Sequence, residues 1–265
     1  MREIRLQECP LTDGEDLGLR DQLLGRGHHD KPVLGGPNGK DTIIRKPDGE
    51  PLLIYLRRPK LVQKPLQEAL PALPLAARWS EKQQAKSGLI GFLDPTPQEP
   101  YFRVSAFTRD EPILWDMIQP LLWAMDDLLK AHLSDHRARQ KAFWRMTNPD
   151  FRIPLTSFTT VTVNDKHQFK CHRHLNNLAC GMGAMIVHRS GNFRGGYFML
   201  PKWKVAVNMQ CGDVVLFDGT DWHANSPFYA DGDYERLSVV AYMRWKMIHA
   251  GSAAEELAKA MSLNK

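Results

Sequence analysis

With 265 residues, 43% of them hydrophobic and 25% charged, the chain has the composition of an ordinary soluble globular protein and is long enough to bury a full core without staples. Lys and Arg exceed Asp and Glu by five, 35 against 30, a balance that favours polyanionic partners without demanding them. No apolar run approaches the roughly 20 residues that span a bilayer, and the opening residues lack the apolar stretch of a signal peptide, so no membrane role and a cytoplasmic location, or a nuclear one in a eukaryote, are expected. The four cysteines, Cys9, Cys171, Cys180 and Cys211, show no CxxC spacing and read as free thiols.

Residues 1–40 are rich in Gly, Pro and charge, without sustained periodicity, and predict loops with little regular structure; His28 and His29 read as a solvated pair. DTIIRK, the turn PDGE and PLLIYLRR then spell a β-hairpin. A helix is expected over 64–86, broken in its first half by Pro65, Pro71 and Pro74, followed by the proline-punctuated loop 94–100 and a strand-like YFRVSAF. Pro112 sits where a helix would start, and apolar residues then recur at three- and four-residue steps. Trp115, Met117, Leu121, Leu122, Met125, Leu128 and Leu129 form its core face, and Pro120 should kink or divide it. A second, basic helix follows over 136–146.

From Ile153 the period changes to two. Strands are expected near 155–163, 168–173, 183–188, 196–200, 203–209, 213–217 and 237–245, with turns at NDKH, RSGNFRGG, CGD and YADGD. Short strands with ligand-capable residues at their ends suggest a small β-barrel or a two-sheet jelly roll open at one mouth. The tail 248–265 reads as a helix packed outside.

The stretch TSFTTVTVNDKHQFKCHRHLNN joins a strand to metal-capable side chains. Thr159, Val161 and Val163 fall on one face and Thr160, Thr162 and Asn164 on the other, as in a half-buried strand. His172 and His174 are one residue apart, so on an extended segment both imidazoles project to one side and can grip one ion, while Cys171 points away. The third ligand is expected at His223, on the loop after the strand 214–217. Enzymes that activate O₂ at iron(II) present three protein ligands on one face, usually two His and a carboxylate. Three neutral imidazoles leave the ion its full charge and admit an anionic bidentate co-substrate. Arg236 on the next strand would hold the far carboxylate of that co-substrate, Ser238 points the same way, and Asn164 is placed with them. Lys166, Lys170 and Arg173, with Lys202 and Lys204, would ring the entrance.

The runs TSFTTVTVNDKHQFKCHRHLNN, GNFRGGYFMLPKWKVAVNMQCGDVVLFDGTDWHANSP and ERLSVVAYMRW resemble the Fe(II)/2-oxoglutarate dioxygenases of the TET/JBP-like group, and the hairpin at 41–58 and the segment AARWSEKQQAKSGLIGF look like that group's N-terminal region. The resemblance covers most of 41–247. It implies an α+β chain with a double-stranded β-helix core at about 153–247, flanking helices, and a single domain over 41–247 between a loop-rich segment, 1–40, and a helical tail. It also implies oxidation of the 5-methyl group of 5-methylcytosine or thymine in DNA, with the base flipped from a duplex or the strand single. Fe(II) and 2-oxoglutarate are the implied cofactors. By motif, His172 and His223 match iron ligands, Arg236 the 2-oxoglutarate anchor, and Gly195-Gly196 the turn before a core strand. His174 departs from the pattern, which has Asp there. The group includes phage-borne members, for which the compartment would be the host cytoplasm.

Two other classes remain open on the residues: a cupin-type three-His oxygenase acting on a small molecule, and a non-catalytic nucleic-acid-binding relative with an altered metal site. Against the cupin, Leu178 and Ala179 occupy the region where its glutamate would fall. Between the two bases the expectation leans to 5-methylcytosine.

Overall fold

In the computed structural model, residues 1–7, 9, 11, 18–24, 33–78 and 86–263 are described; the His28–His29 pair and most of the last two turns of the helix expected over 64–86 lie outside them. The strands are β1 (Arg2–Arg5), β2 (Val33–Gly35), β3 (Thr42–Arg45), β4 (Pro51–Leu56), β5 (Ser87–Leu93), β6 (Arg103–Val104), β7 (Thr160–Asp165), β8 (Gly183–Gly195), β9 (Phe198–Leu200), β10 (Val205–Asn208), β11 (Val214–Phe217), β12 (Ala224–Asn225) and β13 (Phe228–Tyr242). The helices are α1 (Lys60–Ala69), α2 (Leu73–Arg78), α3 (Ala106–Asp110), α4 (Pro112–His132), α5 (Ser134–Met146) and α6 (Ala253–Leu263). None of them is long and apolar enough to cross a membrane.

Nine strands form one sheet in the order β1-β3-β4-β11-β8-β13-β7-β5-β6, and four form a second, β12-β9-β10-β2. Together they make the double-stranded β-helix core of an α+β fold. Alternation along each strand sorts side chains between two hydrophobic layers. On β11, Val214 and Leu216 join Ile54, Leu56, Ile186 and Val239 beneath α1 and α4, whereas Val215 and Phe217 join Met185, Phe198, Val205 and Val207 between the sheets. Covered on both faces, β4 and β11 are buried along their whole length.

Several expectations are corrected. Residues 1–40 contribute two strands: β1 pairs parallel with β3, and β2 parallel with β10. The helix expected over 64–86 is two helices, and Pro65 lies inside the first. YFRVSAF gives only the two-residue β6, after which Ser105 caps α3 by accepting the Thr108 N–H. α4 runs in one piece through Pro120, and its buried face carries Trp115, Leu121, Leu122, Met125, Leu128 and Leu129. The turns expected at RSGNFRGG and YADGD are absorbed into β8 and β13, which pair antiparallel with a register shift between Ala230 and Tyr234. β7 is not half-buried, because Val161 and Val163 sit under the helices while Thr160 and Asn164, on the opposite face, are also buried.

Polar side chains tie helices to sheet. Buried Asp126 on α4 accepts from the Ser157 backbone N–H at 2.9 Å and from Arg137 on α5 at 2.7 Å. Buried Gln140 donates to the Ser157 carbonyl at 3.0 Å and accepts from the Met182 N–H at 2.9 Å, clamping the chain just before β7 to the chain just before β8. These bonds fix where β7 and β8 begin, and with them one wall of the mouth.

Candidate metal and co-substrate site

The mouth is built on a backbone bridge. The expected strand 168–173 is absent; in its place His172 and His223 form an isolated antiparallel bridge, with N–H to carbonyl distances of 3.0 and 2.9 Å. His174 is fixed separately, its N–H donating to the Gly219 carbonyl at 3.1 Å. Cys171 points the other way, into a cluster with Leu24, Met199 and Trp222.

Ligand-capable atoms of His172, His174 and His223 lie within 4.8 Å of one another. The hydrogen bonds settle the tautomers of two of them. His172 Nδ1 faces the Lys170 carbonyl at 2.7 Å and His223 Nδ1 the Asp221 carbonyl at 2.8 Å, so each donates there and turns an unprotonated Nε2 inward. His172 Nε2 and His174 Nε2 are 3.2 Å apart, close to the separation of about 3.0 Å for two nitrogens each about 2.1 Å from a shared ion at a right angle. Burial pulls the His174 pKa down to about 4, with His172 adding to the shift. Burial first, then the other two imidazoles, holds His223 well below its ordinary value, and burial lowers His172. All three are neutral near pH 7, the form that ligates a cation, and the donor set fits an iron(II) ion.

The cavity beside them is lined by Thr162, Asn164, Met185, Phe217, Ser238, Val240 and Tyr242 from the nine-stranded sheet and by Phe198 and Asn225 from the four-stranded one. Asn164 donates to Ser238 Oγ at 3.1 Å and accepts from Ser87 Oγ at 2.6 Å, and the Thr162 and Tyr242 hydroxyls are 3.0 Å apart. Burial pushes the Tyr242 phenol up to about 12, so it remains a hydroxyl.

Arg236 does not line this cavity. It lies two residues before Ser238 on the same strand, 3% exposed, with its guanidinium 5.3 Å from the Phe228 ring and one contact of 3.4 Å to the Gly196 carbonyl. Burial, with Arg189 nearby, brings its pKa down to about 10, which leaves it protonated. No carboxylate pairs with it among the described residues, and no Asp or Glu lines the cavity. A buried cation without an acid, behind a cavity without one, calls for an anionic ligand.

Of the basic residues expected at the entrance, Arg173 sets its guanidinium 5.1 Å from the Trp222 ring and Lys166 its Nζ 4.9 Å from the Tyr234 ring. Lys170 and Lys204 are exposed. Sequence reasoning did not assign Tyr242, Asn225, Phe198 or Phe217 to the site. Thr162 and Tyr242 were recoverable by period two from Asn164 and Ser238, but Phe198 and Phe217 look like ordinary core.

The family profile described as the Tet_JBP oxygenase domain of the 2OGFeDO superfamily matches residues 94–245, more than half of the chain. A bifunctional helicase and thymine dioxygenase, JBP2, of Trypanosoma brucei brucei is 31% identical over 165 residues, covering 60% of this chain and 15% of that protein. Thymine dioxygenase JBP1 of Crithidia fasciculata is 29% identical over 175 residues, covering 64% of this chain and 21% of that protein. The chain thus spans about a fifth or less of the length of these relatives. Among solved structures, NgTET1 in complex with 5mC DNA superposes with a TM-score of 0.64 at 15% identity, covering 92% of this chain and 91% of that one. At that identity the likeness is one of fold.

Proposed function

The chain belongs to the Tet/JBP oxygenase-domain family of the 2OGFeDO superfamily, and from that membership we propose that it hydroxylates the 5-methyl group of a pyrimidine in DNA, using iron(II) and 2-oxoglutarate. The observation that carries the reading is the convergence of three neutral imidazoles on one mouth, in front of a buried guanidinium that has no acid partner among the described residues.

His172, His174 and His223 would hold the ion through Nε2, with the Lys170 and Asp221 carbonyls fixing two of the rings. When bound, iron(II) with 2-oxoglutarate couples decarboxylation of the co-substrate by O₂ to insertion of the second oxygen atom into a C–H bond. The planar guanidinium of Arg236 matches the far carboxylate of 2-oxoglutarate in a two-pronged salt bridge, and Ser238 adds a hydroxyl donor. Asn164 orients Ser238 through its amide. Phe198, Phe217, Met185 and Val240 keep the cavity dry, which strengthens every charge interaction inside it.

A methyl carbon inside a duplex cannot reach this recessed mouth, so the base must be flipped out or presented on a single strand. Lys166, Lys170 and Arg173 would then hold phosphates, and activity should fall steeply with added salt. That the relatives JBP2 and JBP1 are thymine dioxygenases moves the choice of base from 5-methylcytosine toward thymine.

Incubating iron-loaded protein and 2-oxoglutarate with methylated and unmethylated DNA, digesting to nucleosides and weighing them tests the proposal. A gain of one oxygen on thymidine, or on 5-methyldeoxycytidine in the methylated DNA alone, supports it. Co-substrate turnover on a free small molecule with no modified nucleoside would overturn it in favour of a small-molecule oxygenase.

A further inference from the structure

Away from the histidine mouth, three side chains from three segments stand in line. Cys211 Sγ lies 3.6 Å from His188 Nδ1, and the opposite ring nitrogen, Nε2, faces Glu235 Oε2 at 3.5 Å. Glu235 is held in turn by the Ser190 hydroxyl at 2.9 Å. The fold builds this line from pairing alone. His188 and Ser190 alternate onto one face of β8, and β13 sets Leu237 against His188 and Glu235 against Ser190. Cys211 arrives on the β10–β11 turn, pinned by the Gly212 N–H to the Val187 carbonyl at 2.7 Å.

A thiol, an imidazole and a carboxylate in that order form the arrangement in which the imidazole takes the thiol proton and the carboxylate steadies the resulting imidazolium. Each partner moves the other accordingly: His188 lowers the Cys211 pKa, and Cys211, then Glu235, raise that of His188. The other charges facing the pair are Arg58, which precedes α1, and Arg189 on β8, itself facing Asp213 on the turn, while Lys166 acts on Glu235. Arg58 supplies an independent feature. Its backbone N–H donates to Asp213 Oδ1 at 3.2 Å, which anchors it beside the turn, yet among the described residues its exposed guanidinium makes no ion pair. Arg57, Lys60 and Lys64 lie close to it in the chain, and the oxygenase reading assigns none of the four a role.

We propose that Cys211 is an activated thiol, and that Cys211, His188, Glu235 and Arg58 form a modification site for an anionic low-molecular-weight disulfide. The Cys211 proton passes to His188 Nδ1, the thiolate attacks one sulfur of the disulfide, the S–S bond breaks, and the departing thiolate takes the proton back from His188. The products are a mixed disulfide on Cys211 and one free thiol, with no other oxidant consumed. Arg58 attracts the carboxylates of the incoming molecule. The remaining cysteines lack this surrounding: Cys171 is fully buried, Cys9 Sγ faces the Leu11 carbonyl at 3.1 Å, and Cys180 packs against an apolar cluster.

The test treats the 265-residue chain with glutathione disulfide, which is anionic, or cystamine, which is cationic, and follows mixed-disulfide formation by intact mass and peptide mapping across roughly pH 5.5–9. Cys211 should react first at pH 7, at least about tenfold faster than the other thiols. His188→Gln should slow it about tenfold and move its pH profile up to that of an ordinary thiol. Glu235→Gln, at an exposed position, should give a smaller change in the same direction. Arg58→Gln should lower the ratio of glutathione disulfide to cystamine rates. First reaction at Cys9 or Cys180 in the unmodified chain overturns the proposal without recourse to any variant. An unchanged rate and pH profile in folded His188→Gln also overturns it, and an unchanged rate ratio in Arg58→Gln removes the anionic preference.

Discussion

His172 and His223, 51 positions apart in the chain, exchange both backbone hydrogen bonds across the mouth of the barrel. Two proposed ligands are therefore placed by main-chain atoms that any side chain leaves in place, and their rings are turned by carbonyls of neighbouring residues. Substitution of the imidazoles should remove metal binding while sparing the fold.

His223→Ala is expected to lower iron(II) affinity by more than about 100-fold, beyond the range for loss of an outer-shell partner, with an unchanged circular dichroism spectrum. Full metal occupancy in that variant would remove His223 from the ligand set. His174→Asp supplies a carboxylate, cuts the net charge of the loaded site by one, and should bind iron more tightly than the parent when 2-oxoglutarate is absent. Its 2-oxoglutarate turnover should be at least as high. If turnover is lost, the site is tuned to three imidazoles.

Arg236→Lys keeps the charge but loses the planar fork, so the Michaelis constant for 2-oxoglutarate should rise by about tenfold or more while iron stays bound. Arg236→Met removes the cation as well and should raise it further. An unchanged constant in both variants would take Arg236 out of co-substrate binding.

The sequence made the β-helix legible wherever one face of a strand differed from the other. HxH, Arg236-x-Ser238 and Thr162-x-Asn164 are period-two signals, and the structure places each of these residues on the mouth side of the core or directly behind it. It was misleading where tertiary pairing overrides local chemistry. Gly191, Gly195 and Gly232 read as turn residues, yet they sit in β8 and β13; antiparallel pairing carries the chain through Gly191 and Gly195, and Gly232 falls in the register shift between Ala230 and Tyr234. β1 and β2 are three or four residues long and have meaning only beside β3 and β10, which no local pattern announces. Nothing local in the sequence marks Asp126 and Gln140 for burial, because burial of a polar residue shows only when its partner, here Ser157, is known.

Asp126→Ala should be among the most damaging single changes outside the mouth. It strands the Arg137 guanidinium and the Ser157 N–H together, and loss of one partner of a buried charged pair costs about 3–5 kcal/mol. For a chain of this size the melting temperature should fall by about 5–9 °C. Thermal unfolding of the metal-free protein measures it, and a fall of under about 2 °C would mean that the clamp at the start of β7 contributes little.

Gly195 joins stability to the co-substrate pocket. This residue sits at φ +81°, where a side chain is strained, and a Cβ on it would lie 1.9 Å from the Pro227 carbonyl oxygen. Backbone cannot retreat as a flexible side chain can, because the Gly196 N–H already bonds that same oxygen at 3.0 Å and Gly195 pairs with Phe228. Gly195→Ala must therefore spread β8 from β13 at the point where the Gly196 carbonyl meets Arg236 and the Phe228 ring flanks its guanidinium. The expected cost is about 2 kcal/mol or more of stability, together with a higher Michaelis constant for 2-oxoglutarate and unchanged iron affinity, since His172 and His223 hang on a different bridge and His174 on the Gly219 carbonyl. Gly232→Ala is the control, with a similarly positive φ of +112° but nothing within 4 Å of the added carbon; it should lose some stability and leave the Michaelis constant alone. Titrating 2-oxoglutarate against both variants separates the two effects. Equal Michaelis constants in Gly195→Ala and the parent would show that the β8–β13 contact does not position Arg236.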